Sequence, residues 1–209
     1  AWFCLAKILE VTLYNGRDPR SGVTLHPNSN GKDLATFASF EELWEAFQDQ
    51  MRYYAKIHVI MDNYTDRLWE EYMEEPLTSI MGCTLTVLER GKSIKRGGAK
   101  YDFTGNETIG TANTGNSLYA VKKLVFDDKK LTGEQLKHAL LTNFKDMTTS
   151  PTGPQIQQLC LHVPKYGNDV EEVDWMVSRV LESVCEELPK YKNTRYGRGP
   201  IGGIFQAST

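Results

Sequence analysis

The sequence has no apolar run long enough to cross a bilayer, and its N-terminus lacks the basic-then-apolar order of a signal peptide, so membrane insertion and secretion are not expected. It also lacks charge of one sign. With 24 Lys and Arg against 27 Asp and Glu, a formal charge of -3 and a pI near 5.9, it has no field that would gather nucleic acid or an anionic surface. Cysteine is scarce, and the four residues Cys4, Cys83, Cys160 and Cys185 lie far apart on apolar segments with no C-x-x-C pair. They read as free, buried thiols rather than as a metal or redox motif. The four histidines, His26, His58, His138 and His162, show no H-E-x-x-H or other ligand spacing. No internal repeat or low-complexity run is present, which excludes a solenoid. These absences point to a cytoplasmic chain with neither nucleic acid nor membrane among its partners.

What is present is ample material for a core. The 209 residues are 40% hydrophobic and 11% aromatic, enough for one large domain or two small ones. The chain starts without methionine in the apolar pattern Ala1-Trp2-Phe3-Cys4-Leu5-Ala6-Lys7-Ile8-Leu9, which reads as a helix with no cap before it. At the other end, Ile201-Gly202-Gly203-Ile204-Phe205 reads as a strand with nothing left to pair with. Both ends imply neighbours outside the chain, and the isolated polypeptide is expected to be marginally stable.

Asn15-Gly16 is a natural stop for the first helix, because both residues tolerate positive φ. From Arg17 to Ala38, Gly, Pro, Asn and Ser predominate, as in an ordered surface connection or an insertion inside one domain. Ser39 and Glu42 then form a capping-box pattern. Behind them Leu43, Phe47, Met51, Tyr54, His58, Met61, Tyr64, Leu68 and Tyr72 recur at helical steps and predict one long buried-face helix ended by Pro76. Leu77 to Leu88, apolar nearly all round, predict a deeply buried helix closed by Gly91. Further helices are predicted over Ser117 to Phe126, from the capping box Thr132/Gln135 through Phe144, and over Gln155 to Leu161 before Pro164. The last is capped by Asp169 and Glu172, with the face Val173, Val177, Val180, Leu181, Val184 and Leu188.

Two stretches could carry chemistry. Lys92, Lys95, Arg96 and Lys100 surround Gly97-Gly98, so a loop whose N–H groups hold a phosphorylated ligand is one reading; the Gly-Lys-Ser/Thr order of a phosphate loop is missing, and a solvated basic turn is the other. Beyond it, Tyr101 and Phe103 alternate as in a strand, and Glu107 at the following turn is an ionisable group that could face a cavity. As chemistry alone, Glu107 also fits a surface carboxylate.

The run Glu89-Arg90-Gly91-Lys92 followed by Gly97-Gly98-Ala99-Lys100-Tyr101-Asp102-Phe103-Thr104-Gly105 resembles the signature stretch of glycyl radical enzymes of the pyruvate formate-lyase and glycerol dehydratase kind. Asn116-Ser117-Leu118 with Lys122-Lys123, Pro164-Lys165-Tyr166-Gly167-Asn168-Asp169, and Lys190-Tyr191-Lys192-Asn193-Thr194-Arg195 agree in order and spacing, so that the likeness runs from Ala1 to Thr209.

This resemblance implies an α/β, helix-rich fold: residues 1–209 would be an internal segment of an α/β barrel, with a loop insertion at about 17–38. In such enzymes one loop carries a cysteine and an opposed loop a glycine. An activating enzyme with an iron–sulfur cluster and S-adenosylmethionine withdraws hydrogen from the glycine, and the stored radical passes to the cysteine that attacks substrate. The Cys-x-Glu and Arg-Val-Ala-Gly-Tyr-like loops are absent here, so neither Cys4 nor Cys83 inherits the catalytic role and no cofactor is expected on this segment. The implied partners are the remainder of the barrel, the radical-installing activase, a second copy of the parent as a homodimer, and a small-molecule substrate. By the same resemblance Trp2 falls at a pocket aromatic, and Phe205 falls where a dehydratase carries tyrosine; with Glu107 they are the candidate pocket residues. Phe205 has no hydroxyl to satisfy a buried substrate oxygen, which favours a bulkier or less polar substrate than a polyol. Core packing is the competing reading for both aromatics.

Overall fold

The computed structural model describes residues 2–72, 85–93, 97–101, 104–194 and 201–207, with backbone alone for 2, 85 and 201–207. In order, the elements are β1 (Trp2–Cys4), α1 (Leu5–Leu13), α2 (Phe40–Tyr72), α3 (Leu85–Arg90), β2 (Thr104–Ile109), α4 (Thr111–Val121), α5 (Gly133–Leu141), α6 (Gly153–His162), α7 (Glu171–Glu187) and β3 (Ile201–Ala207). A π-helical turn over Lys122–Asp127 continues α4, and a 3₁₀ turn over Leu188–Lys190 follows α7. The chain divides into two compact units. One comprises Ala1–Phe3, Tyr54–Thr108 and Val184–Ser208, the other Cys4–Tyr53 and Ile109–Ser183.

The second unit is helical with a largely apolar core. Leu5, Leu43, Phe47, Leu118, Val173 and Val180 are sealed from solvent. Gly115 lets α4 approach α7 closely, for a Cβ there would stand 2.4 Å from Val177 Cγ2 and 2.9 Å from its Cα. The Arg179 guanidinium lies 4.3 Å from the centroid of the Trp44 ring, and the Tyr119 hydroxyl donates to Glu172 at 2.7 Å. The connection from Arg17 to Ala38 is an ordered part of this unit. Asn28 Nδ2 donates to the carbonyls of Thr12 and Lys32, Gln50 Nε2 donates to the His26 carbonyl and Asn28 Oδ1, and Leu34 and Phe37 are buried.

Local signals for helix ends hold where a side chain can reach an orphan amide. Asn15 and Gly16 close α1 with φ of 54° and 74°. Ser39 Oγ accepts from Glu42 N–H at 3.2 Å at the start of α2, although the Glu42 carboxylate turns back to Ala38 N–H rather than to Ser39. At α5 the box is complete: Thr132 Oγ1 accepts from Gln135 N–H at 3.1 Å, and Thr132 N–H donates to Gln135 Oε1 at 2.8 Å.

Several expectations are corrected. Residues 2–4 form a strand rather than the first turn of a helix, because pairing in a sheet overrides their helical spacing. Helix α4 starts at Thr111, six residues before the predicted Ser117; Thr114 is fully buried there and its hydroxyl is answered by the Gly110 carbonyl at 2.7 Å. Helix α7 opens at Glu171, two residues past Asp169, whose own φ is 59°. The expected burial of Leu88 fails, because it is 71% exposed while Val87 on the same short helix is buried. Cys4 and Cys185 are exposed and Cys160 is half-buried, so burial is not the common state of these thiols; Cys83, Pro76 and most of the predicted helix from Leu77 lie outside the described residues.

Candidate functional site

The three strands form one sheet in the order β1-β2-β3, parallel, with β2 in the centre. The strand expected at Ile201 to Phe205 therefore has a partner within the chain. Trp2 lies on β1, Glu107 on β2 and Phe205 on β3, so the three candidates occupy three neighbouring strands. Glu107 is not at a turn but inside β2, where burial alternates: Thr104, Asn106 and Thr108 are buried, whereas Gly105 is exposed and Glu107 half-buried. The two-residue period of a strand puts Glu107 on the face opposite that polar triplet. A half-buried carboxylate can accept a hydrogen bond from a hydroxyl or exchange a proton with a bound molecule.

The other face of β2 meets the second half of α2. Thr104 Oγ1 donates to Asp66 Oδ2 at 3.3 Å, His58 Nε2 lies 3.4 Å from Asp62 Oδ2, and the Phe3 ring of β1 is tilted 58° against the His58 ring at a centroid distance of 5.5 Å. His58, Asp62, Asn106 and Thr108 are each less than a tenth exposed. Burial lowers the His58 pKa below its ordinary value, opposed by the Asp62 carboxylate and the Asn106 amide. This buried polar layer escaped the sequence reading, although its signals were available: Thr-x-Asn-x-Thr from 104 to 108 has strand period, and His58 and Asp62 stand one helical turn apart.

Among its described residues the basic loop shows no anion cradle. Arg90 Nη1 donates to the carbonyls of Gly97 at 3.4 Å and Ala99 at 3.1 Å, so the loop presents acceptors to an internal cation. Gly98 N–H is taken by the Ser93 carbonyl at 2.8 Å, and a Cβ at Gly98 would fall 2.0 Å from the Lys92 carbonyl oxygen. Lys100 lies 5.5 Å from the Tyr101 ring centroid, and Tyr101 is an exposed bend rather than part of a strand. Phe103, Lys95 and Arg96 lie outside the described residues. Among the described residues nothing supports the phosphorylated-ligand reading.

The helical unit has a cleft of about 770 Å³ lined by Leu9, Leu13, Val121 and Leu140, with Lys7 and Glu10 at its rim and Cys160 in its wall. Burial pushes the Cys160 thiol up, against the pull of Lys165, so at neutral pH it is protonated and a poor nucleophile. Among the described residues no three His, Cys, Asp or Glu side chains are placed to hold a metal ion, and no helix is long and apolar enough to cross a membrane.

The family model described as pyruvate formate lyase-like matches residues 1–209. The chain is 38% identical over 205 residues to a probable dehydratase, YbiW, of Escherichia coli K12, covering 98% of this chain and 25% of that protein. It is 33% identical over 201 residues to the glycyl radical subunit of 4-hydroxyphenylacetate decarboxylase from Clostridioides difficile strain CD196, with 87% of this chain and 22% of the relative covered. The glycerol-bound B12-independent glycerol dehydratase of Clostridium butyricum superposes with a TM-score of 0.82 at 35% identity, over 98% of this chain and 24% of its own. The chain thus spans about a quarter of the length of the curated relatives it matches.

Proposed function

Because the chain belongs to the pyruvate formate lyase-like family of glycyl radical enzymes, we propose that it forms part of the barrel wall around the substrate cavity of a longer radical enzyme. That enzyme carries out radical dehydration, decarboxylation, or C–C, C–N or C–S cleavage of a small organic molecule in the cytoplasm. The cysteine and glycine that store and use the radical come from other segments, and the glycine is activated by an iron–sulfur, S-adenosylmethionine-dependent enzyme; the parent works as a homodimer. The residues described here would not hold the radical, and their task is to line and close the cavity.

The observation that carries this reading is that Trp2, Glu107 and Phe205 sit on three adjacent strands of one sheet whose reverse face, at β2, is closed by α2. Substrate lies against the side of the sheet that carries Glu107. Its carboxylate accepts a hydrogen bond from the substrate or takes a proton, and the two aromatics supply apolar walls that exclude water from a reactive intermediate. A phenyl ring at 205 offers no donor, so the cavity suits a less polar substrate than a polyol.

The test is Phe205→Tyr in the full-length enzyme under anaerobic conditions. Turnover of an apolar or aromatic substrate is expected to fall about tenfold, while a polyol gains a partner for its hydroxyl. Unchanged kinetics for both substrate types, with the radical formed in normal yield, would return Phe205 to the core and end its assignment to the pocket.

A further inference from the structure

The polar layer between α2 and β2 is not closed by the protein's own groups. Asn106 is 1% exposed, yet neither Nδ2 nor Oδ1 has a hydrogen-bond partner, so flipping the amide satisfies nothing. His58 Nε2 and Thr108 Oγ1 are equally buried and equally without partners. At 3.4 Å the Asp62 carboxylate attracts the His58 ring without a well-formed hydrogen bond, and the Asn106 amide approaches the ring closely enough to stabilise its charged form but in a geometry too poor to satisfy either group. Native interiors rarely leave this many polar atoms in one place unanswered, because each costs about 1–3 kcal/mol when dry.

The chemistry of the open positions selects what fills them. An anion would meet Asp62 beside the two donors it could use. A metal ion would need more anionic or imidazole ligands than the layer offers, since among the described residues no group of three is placed to bind one. The open atoms are a mixture: the Asn106 NH₂ donates, its carbonyl accepts, and the Thr108 hydroxyl and neutral His58 ring can serve either way. That set matches water, which offers two donors and two acceptors and typically makes about three bonds in buried sites.

We propose that α2 and β2 enclose a structural hydration site, in which ordered water joins His58 Nε2 to the Asn106 amide and continues to Thr108 Oγ1. Burial favours the neutral His58 ring, the water fixes its orientation, and that ring in turn lies 5.5 Å from the Phe3 ring on β1. His58 is thereby a positioning residue for the first strand of the sheet. The site stands whatever chemistry occurs on the other face.

Two measurements on the full-length protein test this. A crystal structure that resolves solvent is expected to show water within hydrogen-bond distance of both His58 Nε2 and the Asn106 side chain. If the amide is instead bonded at both ends to protein atoms, with no solvent density beside it, the proposal is overturned. The variant Asn106→Leu separates wet from dry by stability. Removal of a bridged amide lowers the melting temperature, by about 1 °C in a protein as long as the relatives, whereas removal of a dry, unsatisfied one leaves it unchanged or raises it. The second outcome would also overturn the proposal.

Discussion

One helix serves two different interiors. Up to Tyr53, α2 buries Leu43, Trp44, Phe47 and Met51 in the helical unit, a mainly apolar face whose one buried amide, Gln50, donates through Nε2 to the His26 carbonyl and Asn28 Oδ1. From Tyr54 onward the same helix buries Ala55, His58, Val59 and Asp62, and its Asp66 takes the Thr104 hydroxyl of a strand that also buries Asn106 and Thr108. The first half is stabilised by area removed from water, which needs only shape. The second half depends on polar groups being answered, and its contribution changes with protonation and hydration. A continuous helical spacing therefore does not guarantee a continuous kind of core.

The largest effect should come from the apolar half. Phe47 is fully buried, and Phe47→Ala is expected to cost about 3–5 kcal/mol in urea unfolding, through lost transfer energy and the cavity left behind. A cost below about 1 kcal/mol would mean that this core collapses freely and that the contrast between the halves is false. The polar half should respond to pH. Because the folded His58 pKa is depressed, chiefly by burial, the folded state prefers the neutral ring. Its stabilising contribution is complete above the ordinary value of about 6.5 and is lost as pH falls below it toward the lower folded pKa, by at most about 1.4 kcal/mol per pH unit. Urea titrations between about pH 7.5 and 5 should thus show a steeper acid loss in the native protein than in His58→Gln; equal slopes would place the ring in contact with solvent. The smallest effect is expected on the outer side of the same stretch, where Tyr64 is 65% exposed, and Tyr64→Ser in this chain should change stability by no more than about 0.5 kcal/mol. A much larger loss would show that the aromatic row is covered.

That aromatic row shows where sequence reasoning ran out. Met61, Tyr64, Leu68 and Tyr72 continue the apolar spacing of Leu43, Phe47 and Met51, but they are 63%, 65%, 38% and 73% exposed. The buried line runs instead through Ala55, Val59 and Asp62 in longer steps, so the aromatic row rotates away from it along the helix. Hydrophobicity marked a face correctly only while the partner was apolar. When the partner became the polar side of β2, polar residues went inside. The cap at Thr132 and the valine face of α7 were legible because each depends on residues a few positions apart on a single element. The strand at Trp2–Cys4 was not, because its partner lies about a hundred residues away and nothing local distinguishes an apolar strand from an apolar first turn.

By itself the sequence determined the family, through blocks of residues in a fixed order, together with the helix starts and stops whose signals are local hydrogen bonds. It also singled out Trp2, Glu107 and Phe205. Only the tertiary structure decided that these three stand on neighbouring strands, that Glu107 is inside a strand rather than at a turn, and that His58 and Asp62 are buried with Asn106. The physical reason is distance along the chain. Capping and periodicity are interactions over three or four residues, whereas the placing of a strand and the burial of a polar layer follow from surfaces that meet only after the chain has folded.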